Sequence, residues 1–131
     1  SCMNESDRQE ASYIRTLSSE EAATFLVEKY TENCPVTLKH RSWKKSDQFR
    51  LARQYVQGRA HATDRVYNDF LSFMSIDAFL RVIDEGLPNV SPDRVSLLSY
   101  YLIPSLRRVV KSEFHKTKVE EFTNRLSILQ K

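Results

Sequence analysis

Glycine and proline are scarce in this chain, whose 131 residues contain only two glycines and four prolines. All-β sandwiches and barrels need many tight turns, for which glycine is the usual residue, so this scarcity argues against those folds. It also argues against glycine-rich phosphate loops of the dinucleotide-binding or Walker type. A length of one ordinary domain, with 40% apolar and 28% charged residues, predicts one folded unit rather than a linker or a disordered tail.

Cysteine is also scarce: the sequence contains only Cys2 and Cys34. Two thiols are too few for a disulfide framework, which indicates a reducing, intracellular setting, either cytoplasmic or nuclear. No apolar run approaches the length of about 18 residues that a membrane-spanning helix needs, and the first residues lack the pattern of a secretion signal. We therefore expect a chain without a membrane partner.

Apolar residues recur at helical spacing along most of the chain. This periodicity predicts an all-α fold, a single compact bundle of six or seven helices. Residues 1–12 are polar and aperiodic, so they are predicted to be a flexible lead-in to one helical domain over residues 13–131. The predicted helix starts are Ser18, Ser46-Asp47, Thr63 or Asp64, Ser75, Ser91 and Thr117, and the predicted stops or kinks are Gly58, Gly86 and Pro104.

The inner faces of these helices give a predicted core. Its members are Phe25, Leu26, Phe49, Val66, Phe70, Phe73, Phe79, Ile83, Leu98, Leu102, Val110, Phe114 and Phe122. Val119, Phe122, Leu126 and Leu129 follow a spacing of three, four and three residues, which is also the spacing of a short coiled-coil seam. Packing of this helix within its own domain is the favoured interpretation, and a homodimer seam is the alternative.

The residue types that carry catalysis or bind metals are dispersed. His40, His61 and His115 lie far apart in sequence, outside any HExxH, CxxC or Cys/His cluster. Cys34 precedes Pro35 and lacks the local signatures of cysteine hydrolases. No nucleophile, base and orienting group occur together, so the sequence predicts that the chain is not an enzyme and binds neither a metal nor another cofactor.

Positive charge is concentrated in the middle of the chain. Residues 1–38 carry a net charge of −4, residues 39–65 carry +6 and residues 66–131 carry +1. The candidate basic patch consists of Lys39, Arg41, Trp43, Lys44, Lys45, Arg50 and Arg53. Cations beside an exposed tryptophan are typical of a surface that binds nucleic acid, with the ring stacking on a base. The favoured alternative is a solvated helix face, with Trp43 as a core residue at the helix entry.

Aromatic residues are dense between residues 64 and 104. Tyr100 and Tyr101 are adjacent on one predicted helix, so their side chains point about 100° apart and both are not expected in the centre of the core. A surplus of apolar surface is typical of a bundle that receives a partner helix in a groove, or of one that dimerises. The predicted groove residues are Tyr67, Leu71, Met74, Leu80, Tyr100 and Tyr101.

Residues 66–114 resemble the harmonin-homology domain. The resemblance rests on the pattern Tyr67, Phe70, Leu71, then Phe79, Leu80, Ile83, then Leu97-Leu98, Ile103-Pro104 and a basic helix that closes on Phe114. The pattern departs at Tyr100, where the family usually has arginine, and residues 13–58 have no counterpart in the family domain. Paired amphipathic helix domains of transcriptional corepressors are similar at this level. Either resemblance implies a non-catalytic helical scaffold that accepts a short amphipathic helix between its own helices.

Overall fold

The computed structural model describes residues 3–130 and contains, within that range, seven helices and no strand. The all-α class and the number of helices predicted from the sequence are confirmed. The helices are α1 (Glu5–Thr16), α2 (Ser19–Lys29), α3 (Lys45–Tyr55), α4 (Arg65–Leu71), α5 (Ile76–Gly86), α6 (residues 92–109) and α7 (Glu113–Leu129). Helix α6 is continuous through an α-helical segment Pro92–Leu97, a π-helical segment Leu98–Leu102 and a second α-helical segment Ile103–Val109. Short 3-10 turns occupy Leu38–His40 and Leu87–Asn89.

The first helix begins inside the segment predicted to be a flexible lead-in, so that prediction is wrong from Glu5 onward. The Asn4 side chain accepts a hydrogen bond from the Asp7 backbone N–H at 2.8 Å, and the Asp7 carboxylate accepts from the Asn4 N–H at 3.2 Å. This reciprocal pair satisfies two of the backbone donors that a helix start leaves free. Residues 1 and 2, which were included in the same prediction, lie outside the described residues.

Polar side chains attach α1 to the elements beside it. The buried carboxylate of Glu10 accepts hydrogen bonds from Lys29, Tyr30 and Thr37, each at 2.7 Å. Burial alone would raise the pKa of Glu10, but these hydrogen bonds outweigh it and hold the pKa below its ordinary value. The Arg41 guanidinium donates to backbone carbonyls at the end of α1, including that of Leu17 at 2.9 Å.

Most of the predicted core is buried, but five residues are not. Phe114 is 59% exposed. It lies in the first turn of α7, where its side chain is outside the bundle. Phe25, Phe49, Phe73 and Val110 are half-buried at the edge of the core. In α7, Val119, Phe122 and Leu126 are buried within the domain, whereas Leu129 is exposed. The favoured interpretation, that this helix packs on its own domain, holds for those three residues.

Several predicted helix ends are confirmed and others are wrong. Ser18 caps α2 through its side chain, and Ser91 stands at the N-cap of α6, both as predicted. The predicted caps Ser46-Asp47 and Thr117 are wrong. Helix α3 begins one residue before Ser46, which leaves the buried Asp47 free to accept a hydrogen bond from the Ser19 hydroxyl at 2.6 Å. Helix α7 begins at Glu113, because the Ser112 hydroxyl accepts from the His115 N–H.

The two glycines pack against each other. Gly58 has a φ of +71° in the turn after α3, a conformation that residues with a Cβ rarely adopt. Gly86 is the last residue of α5, so the predicted helix stop is confirmed, although its φ is not positive. A Cβ at position 86 would lie 2.1 Å from the Gly58 nitrogen. Gly86 therefore permits close approach of α5 to the turn that follows α3.

Candidate functional site

Four of the six residues predicted to line a partner-binding groove are buried. Tyr67, Leu71, Met74 and Leu80 all belong to the hydrophobic core. The Tyr67 ring packs edge-on against Phe79, and its hydroxyl accepts a hydrogen bond from the backbone N–H of His61 at 2.9 Å. The groove prediction is therefore wrong for these four residues, because α4, α5 and the turn between them use these side chains to pack the interior.

The other two predicted groove residues lie at the surface. Tyr100 is 72% exposed and Tyr101 is half-buried. Their rings are perpendicular, with centroids 4.8 Å apart. They border a shallow depression of about 740 Å³ between α6 and the loop before α4. We call this depression the aromatic surface, and its lining residues are Ala62, Thr63, Asp64, Ser99, Tyr100, Tyr101 and Pro104.

A π-helical turn places Tyr100 at this surface. Proline has no backbone N–H and its ring clashes with the carbonyl four residues earlier, which is that of Tyr100. Helix α6 continues by adopting a wider turn, in which the Ile103 N–H donates to the Leu98 carbonyl five residues back. The sequence predicted a break or kink at Pro104, and the structure shows a π-helical turn instead. Such turns are frequent at functional sites.

Asp64 supplies a charged rim to the aromatic surface. The Arg108 guanidinium lies 3.4 Å from the Asp64 carboxylate and also donates to the side chains of Asn68 and Ser105. Sequence reasoning found the two tyrosines but missed the loop over 62–64, which lies far from them in the chain. Pro104, four residues after Tyr100, is the local sequence signal for the wide turn.

The basic stretch does not present a stacking platform. Trp43 is only 6% exposed, and its indole N–H donates to the Leu38 carbonyl at 2.8 Å. The hypothesis that this ring stacks on a nucleic-acid base is therefore wrong, and Trp43 is the core residue that the alternative described. The Arg41 guanidinium lies over the Trp43 ring, 4.8 Å from its centroid, and is held by the end of α1.

The remaining cations of the patch are exposed on or beside α3. Lys44, Lys45, Arg50 and Arg53 are exposed there. Arg50 donates to the Thr24 hydroxyl at 2.7 Å, and the Arg53 guanidinium lies over the Phe49 ring. Lys39, in the 3-10 turn, lies 3.8 Å from the buried Asp69 carboxylate. The patch is therefore partly a solvated helix face and partly a set of ties between elements.

The candidate nucleophile and metal ligands do not form a reactive cluster. Burial raises the pKa of the Cys34 thiol to about 12, which keeps it protonated at neutral pH. His61 lies 2.7 Å from the Tyr55 carbonyl through its Nε2 atom, and His115 lies 3.2 Å from the Asp77 carboxylate. Among residues 3–130, no three histidine, cysteine, aspartate or glutamate side chains are grouped closely enough to hold a metal ion.

None of the helices described here combines the length and the apolar character needed to cross a membrane. The harmonin-homology and paired-amphipathic-helix resemblances stay hypotheses. Comparison of the chain with protein-family models, with curated proteins and with solved structures finds no match.

Proposed function

We propose that this chain is a non-catalytic protein-interaction module and that the aromatic surface receives an amphipathic helix of a partner protein. The observation that carries the proposal is the exposure of Tyr100, a large aromatic side chain that contributes little to the core. Tyrosine is enriched among the residues that dominate binding energy at protein interfaces. The burial of Cys34 and the dispersed histidines support a function without catalysis.

The geometry of the aromatic surface suits a partner helix. Tyr101 supports the Tyr100 ring edge-on, so a partner would meet a side chain already held in place. The depression lies between α6 and the loop over 62–64, a position that would let one apolar face of a helix lie along α6. Asp64 and Arg108 at its rim provide charges of both signs that would orient the partner's polar face.

Selection from a library of helical peptides tests the proposal. We expect the selected peptides to bind Tyr100→Ser at least about tenfold more weakly, since a central aromatic anchor contributes about 2 kcal/mol or more. Tyr13→Ser is the matched control, because Tyr13 is also an exposed helical tyrosine, 48% exposed and edge-on to Phe25. Peptides should bind this control as they bind the native chain. A library that yields no Tyr100-dependent binder contradicts the proposal.

Two further measurements distinguish the competing occupants. The first is sedimentation of the native chain and of Tyr100→Ser. A native dimer that becomes a monomer in this variant would identify a second copy of the chain as the occupant, against the proposal. Retention on oligonucleotides at about 50 mM salt, lost in the Lys44→Glu, Lys45→Glu double variant, would favour nucleic-acid binding through α3 instead. The proposal expects a monomer and no such retention.

A further inference from the structure

A second cleft adjoins the aromatic surface at Thr63. It has a volume of about 770 Å³ and lies between the segment after α2, the turn after α3 and the loop before α6. Three arginines, Arg59, Arg65 and Arg94, line it together with His61. We call it the arginine cleft. Arg59 and Arg65 belong to the basic stretch of the sequence, whereas Arg94 comes from a region of nearly balanced charge, so the chain fold is what brings the three together.

Each of these arginines is fixed in place by a backbone carbonyl of the cleft. The bonds run from Arg59 Nη1 to the Glu32 oxygen at 2.8 Å, from Arg65 Nη2 to the Cys34 oxygen at 2.9 Å and from Arg94 Nη2 to the Ala60 oxygen at 2.8 Å. A guanidinium group carries five N–H donors, so one or two such bonds orient it and leave further donors for a ligand. The three groups are therefore preorganised donors.

Two of the three arginines have no ion-pair partner among residues 3–130. Arg65 forms an ion pair with the buried Asp69 carboxylate at 3.1 Å. Arg59 and Arg94 form no ion pair with any residue between 3 and 130. Glu32 also lines the cleft, but Arg59 bonds its backbone oxygen and not its carboxylate. The arginine cleft thus has an excess of positive charge in a concave site.

His61 lines the cleft together with the three arginines, and all three of their charges affect its pKa. Burial lowers the pKa of His61, the hydrogen bond to the Tyr55 carbonyl opposes this, and the charges of Arg59, Arg65 and Arg94 lower it further. The ring contacts the Tyr55 carbonyl through Nε2, and we assign the proton to that atom. The lowered pKa favours the neutral form of His61, so the arginines are the cationic groups of the cleft.

We propose that the arginine cleft binds a phosphate monoester, through the free N–H donors of Arg59, Arg65 and Arg94. A guanidinium fork matches the oxygens of a phosphate in paired hydrogen bonds, and a monoester carries nearly two negative charges near neutral pH. A free phosphate compound and a phosphorylated side chain of a protein present this same group. A nucleic-acid backbone instead needs a row of cations along an open surface, which a local cleft does not offer. The proposal does not depend on whether the aromatic surface binds a partner.

Titration of the full chain with three probes, followed by NMR, tests the proposal and identifies the source of the phosphate. The probes are inorganic phosphate, a short phosphoserine peptide with its unphosphorylated form, and a single-stranded oligonucleotide without a terminal phosphate. Added to about 10 mM, phosphate or the phosphopeptide should shift the amide signals of Ala60 and His61. Binding of both indicates a general monoester site, and tighter binding of the phosphopeptide indicates a phosphorylated protein.

Substitutions test whether binding depends on the cleft arginines or only on the net positive charge of the chain. Arg59→Gln and Arg94→Gln should each weaken the binding about tenfold, the loss expected for one charge-assisted hydrogen bond. Arg94→Lys keeps the charge but loses the guanidinium fork, so it should also bind more weakly than the native chain. Unchanged amide signals outside the cleft show that each variant is folded. Arg107→Gln, which removes an exposed arginine at the end of α6, is the matched control and should bind as the native chain does. Absence of binding below about 10 mM, equal binding by the Gln variants, or a preference for the oligonucleotide would overturn the proposal.

Discussion

Tyr67 and Tyr100 are the same residue type and both lie in helices, yet Tyr67 is fully buried and Tyr100 is 72% exposed. Tyr67 is covered because α4 packs its ring against Phe79 of α5 and bonds its hydroxyl to the segment before the helix. Tyr100 lies on the outer side of α6, where the π-helical turn holds it against Tyr101. We refer to Tyr67, Phe70 and Phe79 as the aromatic core.

The difference shows that aromatic density alone does not distinguish a core from a binding surface. The aromatic core should supply stability and tolerate little change, since close packing makes the loss of volume costly. The aromatic surface should supply binding and leave stability almost unchanged when it is altered. Substitutions in the two places should therefore have separable consequences.

The largest effect is expected from Phe70→Ala in the aromatic core. Phe70 is fully buried and packs near both Phe73 and Phe79. Removing its ring should lower the free energy of unfolding by about 3–5 kcal/mol, because both apolar burial and packing contacts are lost. Urea denaturation followed by circular dichroism measures this. A loss below about 1 kcal/mol would show that this ring is not central to the core.

A smaller loss is expected from Glu10→Ala, which tests whether polar attachment of α1 matters as well as aromatic packing. The substitution leaves Thr37, Tyr30 and Lys29 without their shared acceptor. We expect a loss of about 1–3 kcal/mol, the cost of leaving buried polar groups unpaired. Glu5→Ala, at an exposed position of the same helix, is the control. Equal stability of the two variants would mean that the Glu10 network contributes nothing.

A pH-dependent effect is expected at His61, whose ring packs edge-on against Tyr67 at the border of the aromatic core. Its pKa is lowered in the folded chain, so the unfolded chain binds a proton at a higher pH than the folded chain does. Stability should therefore fall as the pH drops below the ordinary histidine pKa of about 6.5, and the contribution is complete well above that pH. In His61→Gln, thermal denaturation should show a weaker pH dependence over this range. An unchanged pH profile would contradict the assignment.

The smallest change in stability is expected from Tyr100→Ser. An exposed helical side chain outside the core contributes little, so the free energy of unfolding should change by no more than about 0.5 kcal/mol. A loss above about 2 kcal/mol would remove the contrast with the aromatic core, because Tyr100 would then be a structural residue.

Helix class and many helix starts follow from the sequence because caps and apolar spacing are local. Ser18 with Glu21 satisfies free backbone donors wherever that segment packs, so its capping box was predictable. Phe70 and Phe79 were also predictable as core residues, because each lies on a helix face where apolar residues recur at helical spacing. The prediction failed in α1, where Glu10 is buried through bonds to residues 19–27 positions away.

The candidate site was harder to predict because it depends on contacts across the chain. The sequence predicted one groove from six residues, but which apolar side chains remain exposed depends on how α4 and α5 pack, and four of the six are buried. Arg94 joins Arg59 and Arg65 only after the loop before α6 reaches the turn after α3. Counting charges along segments of the sequence does not detect this cluster, because Arg94 lies in a segment whose charges nearly balance.

Mapping a selected helical peptide onto the chain by NMR tests whether the aromatic surface is used for binding. The largest shifts in backbone amide signals should fall on Ser99, Tyr100 and Tyr101 and on the loop over 62–64, which face one another across the depression. The signals of Phe70 and Phe79 in the aromatic core should stay in place. Shifts concentrated instead on α3 or α7, with the signals of Tyr100 and the 62–64 loop unchanged, would contradict the account.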